Sequence, residues 1–153
     1  MQTLLNTPHE IIQQNILGAA AKAKTRILNI LVLGIMAGSF IAMGAQSSSL
    51  AVHNISNVGL ARTLAGCIFP VGLMMIVFVG GELFTGDCMM SMAWMQRKIH
   101  FADMLRTLVL VYVSNFVGAA LIAFLVAHSG QYDYSSGALG AYTIKVAYGK
   151  VHY

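Results

Sequence analysis

Residues 80–87, Gly-Gly-Glu-Leu-Phe-Thr-Gly-Asp, interrupt an apolar stretch otherwise suited to crossing a membrane. Three glycines, two carboxylates and a threonine stand where a plain spanning helix carries leucine. Lipid offers no hydrogen bonds. Irregular backbone and charge are therefore tolerated at that depth only where protein encloses them or where they line a solute pathway. A broken apolar segment is a sequence pointer to a transport site.

The rest of the chain demands a bilayer. Of its 153 residues 58% are hydrophobic and 9% charged, against about 25% charged in soluble domains, too few to cover a soluble fold. The net charge is +4, but the basic residues sit at the ends of apolar runs, which argues against a nucleic-acid surface. The opening MQTLLNTPHEII lacks the basic start of a secretory signal, so no cleavage is expected. Cys67 and Cys88 lie in apolar runs without CxxC or metal spacing. They read as small buried hydrophobes, and neither metal nor cofactor is expected.

The chain divides into an amino-terminal region, residues 1–26, and a transmembrane region, residues 27–153. From Thr7 the first region reads as an amphipathic helix, with Thr7 as its cap, Pro8 in first position and Glu10 closing a capping box. Ile11, Ile12, Ile16, Leu17 and Ala20 form its apolar face, which suits the membrane interface. A first span is expected over residues 27–45, with Gly34, Gly38 and Gly44 as close-contact positions and residues 46–57 as a loop. The second apolar region, residues 64–95, is too long for one helix and too short for two. Half-helices before and after a break at 80–87 resolve that conflict, with Pro70 tolerated if neighbours satisfy the freed carbonyl. Met92 and Met95 beside Trp94 suit an interface. A third span is expected over residues 103–127, with Asn115 as an interhelical hydrogen bonder, followed by an outward-facing tail, residues 128–153, loop-like to residue 141 and then reading as a lead-in to another segment.

Lys22, Lys24 and Arg26 precede the first span, and Arg97, Lys98 and Arg106 follow the second. Two crossings separate the clusters, so both are expected on the cytoplasmic side of the cell's inner membrane, together with the amino terminus.

Gly80-Gly-Glu-Leu-Phe-Thr-Gly86, preceded by Phe69-Pro-Val-Gly-Leu73 and followed by Tyr112-Val-Ser-Asn-Phe-Val-Gly-Ala119 and Lys150-Val-His152, resembles the formate/nitrite transporter family. The resemblance implies an all-α integral membrane protein with an aquaporin-like helical bundle, built from two inverted halves that each contain a broken helix, and assembled as a homopentamer. This chain matches the first half, a half-repeat with a broken second transmembrane helix. The family's central pore histidine belongs to the other half, and none of His9, His53, His100, His128 or His152 stands in its place. The resemblance maps Phe69, Leu73 and Leu83 onto pore constrictions, Thr85 onto the hydroxyl of the pore loop, and Lys150 onto a basic residue near the pore.

Plainer readings stand beside these. Thr85 would bond a nearby carbonyl, as membrane threonines do. Phe69, Leu73 and Leu83 would be packing, and Lys150 a loop lysine. Glu82 and Asp87 read as structural anchors that accept from half-helix amides, because an ionised carboxylate in an anion pore repels its substrate. Gly80, Gly81, Gly86 and Asn115 likewise read as structural residues of the break. The function expected is a channel or transporter for a small monovalent anion such as formate, nitrite or hydrosulfide, passed as the neutral acid or with a proton. The alternatives are an aquaporin-like neutral-solute channel, although Asn-Pro-Ala is replaced by Phe-Thr-Gly, and a non-conducting fragment. An intramembrane enzyme using Glu82 and Asp87 lacks a His-x-x-x-His, Gly-x-Ser-x-Gly or paired-aspartate signature.

Overall fold

The computed structural model describes residues 6–152; the first five residues of the amino-terminal region lie outside that range. The secondary structure is helical: α1 (Pro8–Lys22), α2 (Ile27–Val52), α3 (Val58–Ile68), α4 (Pro70–Val79), α5 (Phe84–Asp87), α6 (Met90–Met95), α7 (Phe101–His128), a short 3-10 turn at Gln131–Asp133, and α8 (Ala138–Val151). Among the described residues three segments are long and apolar enough to span a membrane: α2, α3 with α4 as one run Val58–Val79, and α7.

Helices α2 and α7 form the centre, and small residues let them touch backbone to backbone. A side chain on Gly38 would collide with the Asn115 carbonyl, and one on Gly118 with the Ile35 carbonyl. Ser39 Oγ donates to the Ile35 carbonyl at 2.9 Å and to the Gly118 carbonyl at 3.2 Å. Gly44 and Gly72 bring α4 against α2 in the same way, next to the Phe69 and Phe40 carbonyls. Such contacts replace the hydrophobic driving force that lipid does not supply.

Helix α1 starts with the expected capping box: Glu10 N–H donates to Thr7 Oγ1, and Thr7 N–H to Glu10 Oε2 at 2.7 Å. Part of its apolar face packs against protein and part does not. Ile16 and Ala19 enter a core with Met90, Ala93 and Met104, while Ile11, Ile12 and Leu17 stay exposed. Ala19 and Lys22 are one turn apart, so the polar bond that Lys22 makes to the broken segment fixes the roll of the helix.

Three boundaries depart from the sequence reading. Helix α2 runs through the serines to Val52 instead of stopping at residue 45. Its polar end finds partners on neighbouring elements: Ser48 Oγ donates to the Ala65 carbonyl and Gln46 Nε2 to Gln131 Oε1. The irregular break is narrower than 80–87, because Phe84 to Asp87 form a helical turn. The loop-like part of the tail is shorter than expected, since α8 starts at Ala138 and buries Leu139 completely. The two cysteines are exposed, contrary to expectation, because they sit on outward surfaces of the chain.

Candidate functional site

Helix α4 ends where Gly80 turns left-handed, with φ 72°, a conformation glycine adopts without cost. Gly81 N–H then bonds the Ile76 carbonyl at 2.9 Å, and Glu82 N–H reaches the Leu33 carbonyl on α2 at 3.3 Å. Leu83 is extended, and α5 follows.

Asn115 on α7 completes the break. Its Nδ2 donates to the Glu82 carbonyl at 2.8 Å and to the Gly34 carbonyl at 2.9 Å, and its Oδ1 accepts the Phe84 N–H at 2.9 Å. Only an amide side chain offers donors and an acceptor on one short arm. It thus bonds the backbone on both sides of Leu83 and ties α2, the break and α7 together.

The carboxylates of the break are held from α1. Lys22 Nζ donates to Glu82 Oε2 at 2.5 Å and to Asp87 Oδ1 at 2.6 Å. The Lys22 side chain is 40% exposed, that of Glu82 11% and that of Asp87 0%. Burial opposes the charge on Lys22, but the paired carboxylates outweigh it and raise its pKa above the usual lysine value. Asp87 Oδ2 is buried and has no partner among the described residues. The anchoring expected for Glu82 and Asp87 therefore has a different agent: their side chains bond a lysine, not half-helix amides.

Thr85 lines a groove of about 300 Å³ with Leu83, Phe84, Tyr112, Asn115 and Phe116. Thr63, Thr107 and Thr143 each donate to the carbonyl four residues back, at 3.0, 3.0 and 2.9 Å. Thr85 is exposed in this groove and makes no such bond among the described residues. Phe84 and Tyr112 meet edge to face, 5.3 Å between centroids, and wall the groove. None of the described histidines lines it.

The other expected pathway residues lie elsewhere. Phe69 and Leu73 are exposed, one turn apart on the α3–α4 run. Lys150 lines a separate hollow of about 290 Å³ with Gln46, Ser49, Tyr132 and Thr143. Gly86 borders the cleft between α1 and the break, beside Lys22 and Asp87. The structure therefore brings together Leu83, Thr85 and Asn115, and separately Glu82, Gly86 and Asp87, but not Lys150. Sequence reasoning missed Lys22 and Tyr112. Tyr112, Asn115, Phe116 and Ala119 recur at helical spacing in a stretch that had already stood out, and that spacing was the available signal. For Lys22 the signal was weak, a lysine one turn after an apolar position.

The family model described as formate/nitrite transporter matches residues 9–153. The formate channel BtFdhC of Bacillus thuringiensis is 34% identical over 151 residues, covering 95% of this chain and 56% of that protein. The formate channel FocA of Haemophilus influenzae is 31% identical over 137 residues, 88% of this chain and 48% of FocA. The formate-nitrite transporter of Plasmodium falciparum is 31% identical over 116 residues, 70% of this chain and 38% of that protein. A solved structure described as an FNT family ion channel matches with a TM-score of 0.72 at 23% identity, over 80% of this chain and 50% of that one, and shares the fold. The chain spans about half the length of these curated relatives.

Proposed function

This chain belongs to the formate/nitrite transporter family, and on that premise we propose that it supplies half of a transmembrane pathway for a small monovalent anion such as formate, nitrite or hydrosulfide, passed as the neutral acid or together with a proton. The family is one of transporters and channels, not of enzymes. The observation that carries the reading is the Thr85 hydroxyl, unbonded among the described residues, in an otherwise mostly apolar groove beside a break whose backbone Asn115 satisfies. A bare anion is costly to place against apolar walls, and a hydroxyl can donate to the anion or accept from its acid. Lys22 offsets part of the charge of Glu82 and Asp87 on the α1 side of the break, which lessens their repulsion of an anionic solute.

Phe69 and Leu73 would act as an apolar constriction, and Lys150 would draw anions through its field. The functional unit we infer is a homopentamer of the full-length protein in the inner membrane. The amino terminus faces the cytoplasm in this reading: Lys24, Arg26, Arg97, Lys98 and Arg106 cluster around the ends of α1, α6 and α7. Relatives named as formate channels or formate-nitrite transporters support this class of solute.

Flux in liposomes, with formate, nitrite and hydrosulfide in turn, tests the reading. Thr85→Val keeps the shape and removes the hydrogen bond, so flux should fall about tenfold at every salt concentration. Lys150→Ala should lower flux most at low ionic strength, with the deficit shrinking as salt rises. If Thr85→Val passes all three solutes like the parent, the threonine is packing and the site assignment fails.

A further inference from the structure

Residues 96–100, Gln-Arg-Lys-Ile-His, turn the chain from α6 into α7. Two backbone bonds close the turn: Arg97 N–H to the Trp94 carbonyl at 2.8 Å, and Lys98 N–H to the Ala93 carbonyl at 2.9 Å. This is the helix ending that calls for a left-handed residue, usually glycine, at the position Arg97 occupies. Arg97 adopts that conformation, with φ 56°, despite the clash its Cβ makes there. An arginine kept at a glycine position is an observed strain, and it points to work for the side chain.

The surroundings indicate what that work is. A hollow of about 330 Å³ is lined by Trp94, Arg97, Lys98, Ile99, His100 and Phe101. Two of these are cations, a third is a histidine, and none is acidic. The next carboxylate along the chain, Asp103, does not line the hollow. Among the described residues the ion pairs are those of Lys22, so neither Arg97 nor Lys98 is neutralised by a carboxylate. The first turn of α7 has no side-chain cap and carries Asp103, which offsets the positive end of its dipole, so the charge at the hollow is that of Arg97 and Lys98. Trp94 and Phe101 stand 5.4 Å apart, 43% and 52% exposed, at the foot of a segment apolar enough to span. Tryptophan and its aromatic neighbours favour the level of the lipid headgroups.

Two cations and an apolar aromatic flank match a phosphodiester attached to acyl chains. A free phosphate makes no use of the aromatic pair. We propose that residues 94–101 form a binding site for the headgroup of an anionic phospholipid, with the phosphodiester between Arg97 and Lys98 and the first acyl carbons against Trp94 and Phe101. Because α1 is packed on α6 through Ala19, Met90 and Ala93, a lipid seated at the end of α6 also steadies the support beneath the broken segment. The proposal does not depend on which solute the protein carries.

The test compares unfolding midpoints in nanodiscs of phosphatidylcholine alone and with phosphatidylglycerol added, and counts lipids retained in native mass spectrometry. The parent chain should gain several degrees with phosphatidylglycerol and retain that lipid. Arg97→Gly relieves the left-handed strain, so its midpoint in phosphatidylcholine should be equal to or above that of the parent, while most of the phosphatidylglycerol gain disappears. Lys98→Gln should lose part of the gain with an unchanged phosphatidylcholine midpoint. Inorganic phosphate added to phosphatidylcholine discs should give no gain; a gain equal to that of phosphatidylglycerol would make this a free-anion site and overturn the lipid assignment. An undiminished phosphatidylglycerol gain in Arg97→Gly, or none in the parent, also overturns it.

Discussion

Lys22 and Asp87, 65 residues apart in the chain, meet at 2.6 Å, with the Asp87 side chain fully enclosed. The contact joins an amino-terminal helix to the one-turn helix that follows the break. Lys22 also holds Glu82, so one ammonium serves two carboxylates on either side of Leu83. The second oxygen of Asp87 goes without a partner among the described residues, which leaves the clasp short of donors and dependent on its one lysine.

Lys22→Met should therefore destabilise the protein. A fully buried pair loses about 3–5 kcal/mol when one member is removed, but Lys22 is 40% exposed and solvent screens it, so about 2 kcal/mol is expected. Thermal unfolding in detergent measures the loss. The double variant Lys22→Met, Asp87→Asn should lose less than the sum of the singles, whereas strict additivity would mean that the contact carries no coupling.

Asn115→Ala should strand the Phe84 N–H and the Glu82 carbonyl, while the Gly34 carbonyl keeps its bond within α2, at about 1–3 kcal/mol for each buried group left unsatisfied. Asn115→Asp matches the shape but has no donors and turns a carboxylate toward two carbonyls, so it should be at least as damaging as alanine. Parent-like stability of the aspartate variant would show that the amide does not hold the break.

Glycine substitutions should differ in sign. Gly118→Ala drives a methyl into the Ile35 carbonyl, and prising α2 from α7 should cost about 1–3 kcal/mol. Gly66 lies within α3 with nothing within 4 Å of an added Cβ, so Gly66→Ala should gain about 0.5–1 kcal/mol from helix propensity alone. Paired unfolding curves decide it, and two losses of equal size would contradict the close α2–α7 contact.

The cap of α1 should respond to acid. Hydrogen bonding from the Thr7 backbone, and then from its side chain, lowers the Glu10 pKa below 4.5. The folded pKa is depressed, so the capping contribution is complete above 4.5 and is lost as pH falls through the lower folded value. Amide hydrogen exchange in the first turn of α1 should rise over that window in the parent and show no such step in Glu10→Gln, whose side chain does not titrate.

The sequence by itself determined the presence of three apolar segments long enough to span, but not their ends, together with the existence of a break in the second segment and the capping box of α1. Each follows from local chemistry: apolar length, glycine and carboxylate content, and the Thr7–Glu10 spacing act within a few residues of one another. The glycines at 34, 38 and 44 were equally legible as contact positions, because only small residues allow helices such close approach. Tertiary structure decided what local chemistry leaves open. Polar residues 46–52 join a helix because Ala65 and Gln131 come within reach, and the break shrinks to four residues because Asn115 satisfies the backbone around Leu83. Glu82 and Asp87 look alike in sequence whether amides or a lysine hold them. Only the docking of α1 on α6 brings Lys22 between them, and a contact spanning 60 residues or more leaves no periodic trace along the chain.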